Sequence, residues 1–296
     1  MRTVIRAVGR VLITVGLLIL LFVAYQLWGT GIWEARAQSD LEGKFERDLA
    51  RSQATTTTAP TTTTTTPPPA PPVPLAGEPV AVIRIDKIGV DKVVVEGTGV
   101  PELRKGPGHY EGSPLPGQRG NAAIAGHRTT YGAPFGDLDQ LSGPTSTKDG
   151  DTISVRTLTG TWVYKLSRDP FVVSPNQTEV LDPVPGQATL TLTTCNPKYS
   201  ASERLIVQAE LTGSQGALPA PEAQPRLVLD TGLSGGTESR APVYLWGVIA
   251  AAVGGLWWLV FHRYPRWTTW FGGVIPFLAV LFVFYTYLER VLPNNY

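Results

Sequence analysis

Cys195 is the only cysteine in this 296-residue chain, and it stands in the run Thr191-Leu-Thr-Thr-Cys195-Asn-Pro-Lys-Tyr-Ser-Ala-Ser-Glu-Arg204. Two readings are open. A free cysteine is often a small buried hydrophobe, and it is also a candidate nucleophile. A thiol of ordinary pKa, about 8.5, is only a few per cent thiolate at neutral pH. A nucleophile therefore needs a base or a cation beside it. His127 follows the apolar run Ala122–Ala125 in Ala125-Gly126-His127-Arg128-Thr129-Thr130-Tyr131-Gly132. A strand end is a good place from which to aim an imidazole. His109 lies in a turn-rich loop, Gly106-Pro-Gly-His109-Tyr-Glu-Gly-Ser-Pro-Leu-Pro-Gly117. Taken alone, either histidine reads equally well as a structural residue. Arg204 opens the apolar run Leu205–Leu211. If that run pairs antiparallel with Ala188–Thr194, Arg204 lies across from the end that carries Cys195. A guanidinium there can hold a carbonyl oxygen as negative charge develops on it. Otherwise it is an ordinary arginine at a strand start.

The elements that must position these residues are short strands. Val80–Ile85, Lys92–Glu96, Ala122–Ala125, Thr152–Arg156, Trp162–Leu166, Ala188–Thr193 and Leu205–Leu211 are apolar or alternating runs separated by Gly, Pro, Asn and Asp. That pattern predicts strands joined by turns. No stretch between 78 and 212 keeps a helical period. The spacing predicts a closed or nearly closed β-barrel.

Outside this unit the chain reads as membrane protein and linker. Val11–Trp28, Val243–Phe261 and about Trp270–Leu288 are apolar blocks, each long enough to cross a hydrocarbon core of ~30 Å. Arg2, Arg6 and Arg10 precede the first block, and His262-Arg263-Tyr264-Pro265-Arg266 separates the other two. A path of in to out, back, and out again puts both basic segments in the cytoplasm, as the positive-inside rule asks. Of the eight tryptophans, all but Trp162 fall in or near these blocks, as an interfacial belt requires. A cleavable signal peptide competes for the first block, with Ala35-Arg-Ala37 as its cleavage site. The block is longer than a typical signal core and ends well before Ala37, so an uncleaved anchor is the expectation. From Thr55 to Pro74 the chain is almost pure Thr, Pro and Ala. Such a segment cannot bury enough apolar surface to fold and stays extended, as a tether. The formal net charge of +1 gives no reason to expect a nucleic-acid partner.

The resulting organisation is a cytoplasmic tail at 1–10, a transmembrane helix at 11–28, a juxtamembrane segment at 29–54 and a Thr/Pro-rich linker at 55–77. The folded domain follows at 78–212, then a second linker at 213–242. Transmembrane helices at 243–261 and 270–288 flank a cytoplasmic loop at 262–269, and an extracellular tail closes the chain at 289–296.

Thr191-Leu-Thr-Thr-Cys195, Arg204 downstream and Gly126-His127-Arg128 upstream together resemble the sortases, membrane-anchored cysteine transpeptidases of Gram-positive cell surfaces. The resemblance covers roughly Val80–Leu211. The proline after Asn196 and the Gly-His-Arg-Thr run are most similar to class E. Pilin-assembling class C is the second choice, although its lid motif of the Asp-Pro-Trp type does not occur upstream of Val80. The paired C-terminal spans depart from the family's single-anchor plan.

The resemblance implies an eight-stranded β-barrel with flanking transmembrane helices. It implies that Cys195 attacks the threonine carbonyl of an LAXTG- or LPXTG-like sorting signal, and that His127 is the acid and base. Arg204 stabilises the oxyanion. Thr194 shapes the site, and Thr130 and Tyr131 are candidates for the pocket of the signal's second residue. The implied partners are surface proteins with a C-terminal sorting signal, a cell-wall precursor amine and membrane lipid. No cofactor or metal is expected. A hydrolase with water as acceptor and a non-catalytic peptide-binding barrel are alternatives that the sequence leaves standing.

Overall fold

The computed structural model describes residues 2–57, 74–146, 149–213, 217–219, 233, 239–262, 267–289 and 291. The Thr/Pro-rich tether lies almost wholly outside the described residues, as do most of the second linker and the basic loop after His262. The chain divides into two compact units.

The larger unit, Thr30–Gly236, is built on nine strands. They are β1 (Pro79–Ile85), β2 (Val90–Glu96), β3 (Gly108–His109), β4 (Gly120–Ala125), β5 (Thr152–Thr157), β6 (Gly160–Leu166), β7 (Phe171–Val173), β8 (Ala188–Asn196) and β9 (Glu203–Leu211). Neighbours run β6-β5-β1-β2-β3-β4-β8-β9, and a β6–β9 pairing closes these eight strands into a barrel. The short β7 continues the line of β6 along the same edge of β9, pairing Val173 with Arg204. The expected eight-stranded barrel is thus the fold observed. All seven strand runs expected from the sequence are present, and β3 and β7 are additional.

Alternation decides which side chains fill the barrel. Ala122 and Ile124 of β4, Leu190 and Leu192 of β8 and Leu205, Val207 and Ala209 of β9 face inward. They meet Ile83, Ile153, Val155, Phe135 and Leu138 in one core. The intervening residues of β4 and β8 face outward and are also buried, as are Arg204 and Ile206 of β9. Two covered faces explain why β8 reads as an unbroken buried run.

One of the outer covers is the helix α2, Thr30–Thr57. Leu41 packs with Val93 and Val95 on the outer face of β2. Phe45 is fully buried and carries the Arg156 guanidinium over its ring at 5.3 Å. On its β3 side, β2 is paired only at Val95 and Glu96, which leaves the backbone of Val93 without a strand neighbour there. Gln38 supplies the missing partners. Its Oε1 accepts from Val93 N–H at 2.7 Å, and its Nε2 donates to the carbonyls of Val93 and Lys105 at 3.1 and 2.7 Å. A buried strand edge needs such partners, because orphaned amides cost about 1–3 kcal/mol each. The sequence marks 29–54 only as a juxtamembrane segment.

The smaller unit contains α1 (Arg2–Ala24), continued by a π-helical turn at Tyr25–Gly29, together with α4 (Ala241–Phe261) and α5 (Trp267–Glu289). Within it Tyr25, Leu281 and Tyr285 form a cluster, and Tyr285 Oη donates to the Leu18 carbonyl at 2.6 Å. Among the described residues three helices are long and apolar enough to cross a membrane.

If α2 is an integral cover of the barrel, truncating Phe45 must hurt it. Phe45→Ala is expected to cost about 3–5 kcal/mol, measured as a drop in the unfolding midpoint of the detergent-solubilised chain. A midpoint within 1 °C of the parent would show that α2 is dispensable.

Candidate active site

The parallel pairing of β4 with β8 sets the site. Ala125 is the register partner of Thr193, Gly126 N–H donates to the Thr193 carbonyl at 3.1 Å, and Thr194 Oγ1 donates to the Gly126 carbonyl at 2.7 Å. Continued by two residues, this register brings His127 alongside Cys195. On the other side of β8 the antiparallel pairing makes Arg204 the direct partner of Cys195. By the pleat, Ala125, Thr193, Cys195, Arg204 and Ile206 share the outer face of the barrel. The three reactive candidates thus come together at the ends of three adjacent strands.

Two local features hold His127 there. Gly126 has no room for a side chain: an added Cβ would lie 2.6 Å from the Phe135 ring, which is fully buried in the barrel core. Arg128 then ties the strand end down. Its Nη1 donates to the Cys195 carbonyl at 3.0 Å and to Asn196 Oδ1 at 2.5 Å, and its Nη2 donates to Asp139 at 3.0 Å. Arg128 stood in the quoted run beside His127 but received no role from the sequence.

Cys195, His127 and Arg204 are only 5%, 4% and 2% exposed. Burial, with the Arg104 guanidinium as a second cause, lowers the His127 pKa to about 3. The resting imidazole is therefore neutral. Its Nε2 is buried with no hydrogen-bond partner among the described residues. One side of the ring lies against Tyr131, with centroids 5.2 Å apart, and Arg104 sits 5.6 Å from the Tyr131 ring centre. Arg204 donates from Nη1 to the carbonyls of Ala201 and Glu203 at 3.0 and 2.9 Å, and from Nε to the carbonyl of Leu233 at 3.1 Å.

A small cavity opens on this face, lined by Leu103, Tyr110, Ala125, Thr193, Thr194 and Arg204 among others. Leu103 ends the one-turn helix α3, Val100–Leu103. Tyr110 is fully buried, and its hydroxyl is 2.9 Å from Thr193 Oγ1. Burial raises the Tyr110 pKa, which keeps the phenol protonated. Tyr110 and Arg104 are site residues that no periodicity could flag, because both lie on the loops around β3.

The remaining candidates are placed as follows. Thr194 points into the strand contact described above and borders the cavity. Thr130 Oγ1 is buried with no partner among the described residues. Tyr131 has left-handed backbone, φ 49°, and its N–H donates to Thr30 Oγ1 at 3.2 Å. Neither Thr130 nor Tyr131 borders this cavity. His109 sits elsewhere, opposite Ile124 in β4. Its Nδ1 meets Glu96 Oε2 at 2.8 Å, and its Nε2 meets Ser113 Oγ at 2.9 Å and the Pro114 carbonyl at 3.0 Å. It ties β2 and β3 to the loop at Ser113. Among the described residues no group of His, Cys, Asp and Glu is placed to hold a metal ion.

A family model, the sortase domain, matches residues 83–212. The chain is similar to sortase SrtE1 of Streptomyces coelicolor, 33% identical over 70% of this chain and 56% of the relative. It is similar also to sortase SrtE2 of the same organism, 27% identical over 70% of this chain and 81% of the relative. The chain thus spans little more than half the length of the first. Among solved structures, sortase E of Streptomyces avermitilis is 40% identical over 47% of this chain and 91% of that one, with a TM-score of 0.41.

The low pKa of His127 has a measurable consequence. An exposed histidine titrates near 6.5, so between about pH 6.5 and 3 the unfolded chain binds a proton that the folded site refuses. The stability this group contributes is complete above pH 6.5 and is lost as pH falls towards 3, by about 1.4 kcal/mol per pH unit. His127→Gln should flatten the fall of the unfolding midpoint in that window. An unaltered pH slope would mean that the ring is solvated.

Proposed function

We propose, from the match of residues 83–212 to the sortase domain and the similarity to sortase SrtE1, that this chain is a membrane-anchored cysteine transpeptidase of the class E type. Its substrate is an LAXTG- or LPXTG-like signal, cut between Thr and Gly, and its acceptor is a cell-wall precursor amine. The observation that carries the reading is the register: Cys195 opposite Arg204, with His127 two residues past the paired end of β4, and a cavity lined by Arg204 and Thr194.

In this reading the neutral His127 takes the Cys195 proton as the sulfur attacks the threonine carbonyl. The imidazolium so formed gives that proton to the departing glycine amine, and a thioester remains. An incoming amine loses its proton to His127, attacks the thioester and frees the thiol. Arg204 is already a buried cation with its fork turned to backbone carbonyls. It is the group to hold the carbonyl oxygen as charge builds there. Arg128, Thr194 and Gly126 act through the geometry of the strand ends. The apolar helices anchor the domain in lipid, with the N-terminus inside and the barrel outside. The signal's second residue is read by Thr130 and Tyr131, on the loop that leaves His127.

The first test is turnover of a fluorogenic LAXTG peptide with and without an amine. Cys195→Ala should abolish cleavage with the barrel intact, and His127→Ala should reduce kcat/KM by about 10²–10⁴. Substantial turnover by the alanine variant at 195 would remove the mechanism. The second test concerns the second signal position. Alanine there keeps an N–H that proline lacks, and one hydrogen bond is worth about 0.5–1.5 kcal/mol net. LAXTG should be cut about three- to tenfold faster than LPXTG. Thr130→Val or Tyr131→Phe should narrow that ratio, and a ratio indifferent to both would exclude them as readers.

A further inference from the structure

Arg104 has no role in the acyl transfer itself, yet it stands at the edge of the site. Leu103 lines the cavity, and Arg104 is the next residue, the C-cap of α3. Its side chain turns to the Tyr131 ring, with the guanidinium carbon 5.6 Å from the ring centre. The His127 ring lies against the same tyrosine. The charge is close enough to His127 to disfavour protonation of the imidazole. The guanidinium itself is unmatched. Its Nε is buried with no hydrogen-bond partner, and among the described residues no carboxylate pairs with it.

The carboxylates at this end of the barrel are engaged elsewhere. Glu34, beside Gly132, is paired with Lys92 at 2.6 Å. Asp139 is paired with Arg128 at 3.0 Å, and Asp137 with Lys198 at 2.8 Å. On the helix of Arg104 itself, Glu102 is turned towards Gly97 and Gly99. A guanidinium with one edge sealed from water and no counter-charge is unfavourable for the fold. The Tyr131 face offsets part of that penalty, but it leaves the N–H donors without an acceptor among the described residues. Those donors form a fork that grips a carboxylate through two parallel hydrogen bonds.

We propose that Arg104 is a carboxylate-binding subsite beside His127, filled when the reactants are in place. The proposal rests on the transpeptidase reading for what carries the carboxylate. Two reactants can bring one. The first is the acceptor, whose amine must reach His127. A cation here repels an ammonium and draws a carboxylate, so it favours an acceptor whose amine stands next to a carboxylate over a simple alkylamine. The second is the signal, through an acidic residue at its third position, just before the scissile threonine. The shared chemistry is a carboxylate, and the two sources are separable.

The test uses the full chain in detergent and compares the parent with Arg104→Gln and Arg104→Lys. One arm measures transfer to glycine against glycinamide as acceptor. The other measures kcat/KM for an LAETG against an LAQTG peptide. Comparing the acid-to-amide ratio between parent and variant cancels the intrinsic reactivity of each pair. Arg104→Gln should lower the ratio about tenfold in the arm that carries the carboxylate. Arg104→Lys should lower it less, since an ammonium keeps the charge without the fork; should the glutamine variant unfold, this smaller fall carries the test. A fall in the first arm assigns the carboxylate to the acceptor and a fall in the second to the signal, and either upholds the subsite. Equal losses for acid and amide in both arms would overturn it, because Arg104 would then only hold Tyr131 and His127 in place. A third readout, alkylation of Cys195 by iodoacetate against iodoacetamide, needs no sorting signal and decides the matter if no peptide is cut. A fall of about threefold or more in that ratio in Arg104→Gln would keep the subsite while the transpeptidase reading fails. An unchanged ratio would remove the subsite.

Discussion

The parallel contact between β4 and β8 is the constraint on which the rest depends. A parallel ladder cannot be closed by a tight turn, so its two strands come from distant parts of the chain and meet only through a long connection. Here that connection contains β5 and β6, which are needed to close the barrel, and the short β7. Barrel closure and assembly of the site are therefore one event. A slip of one residue between β4 and β8 would carry His127 away from Cys195 and turn its side chain to the other face. The contacts that guard the register are concentrated at the functional end. They are Thr194 Oγ1 on the Gly126 carbonyl and Arg128 on the Cys195 carbonyl. The Phe135 ring, for its part, admits only glycine at 126.

Placing chemistry on the outside of a packed barrel has an energetic consequence. The inner face of β8 is filled with Ala188, Leu190 and Leu192, so the strand can hold threonines and a cysteine outward without weakening the core. Those outward groups would be solvated were they not covered by Leu103, Tyr110 and Leu233. Cover removes water, and the loss of water disfavours a protonated imidazole. The Arg104 charge works in the same direction. The resting arrangement is thus a neutral imidazole at the end of β4, a buried thiol on β8 and a buried cation across from it on β9.

What was legible in the sequence follows from periodicity. Runs such as Val80–Ile85 and Leu205–Leu211 alternate or are β-branched over whole strands, and they became β1 and β9. Gly108–His109 and Phe171–Val173 are too short to carry any period, and their strand character comes from the neighbours that pair with them. Cys195 and Arg204 could be placed opposite one another because an antiparallel hairpin fixes its own register. The approach of His127 depended on a long-range parallel pairing that no local pattern encodes, so motif resemblance had to supply it. Arg104 and Tyr110 were out of reach for the same reason. Gln38 looked like an ordinary polar helix residue, and its task as partner of the Val93 backbone becomes visible only with the open edge of β2 in place.

Leu233 shows the limit of composition most sharply. The segment around it is rich in Gly, Ser and Pro and reads as a linker, yet one leucine within it satisfies both a hydrophobic pocket and the Arg204 fork. A buried arginine with no acceptor for its Nε would carry a desolvation penalty that a backbone carbonyl removes. Both the apolar cluster and the guanidinium are thus better off covered than bare.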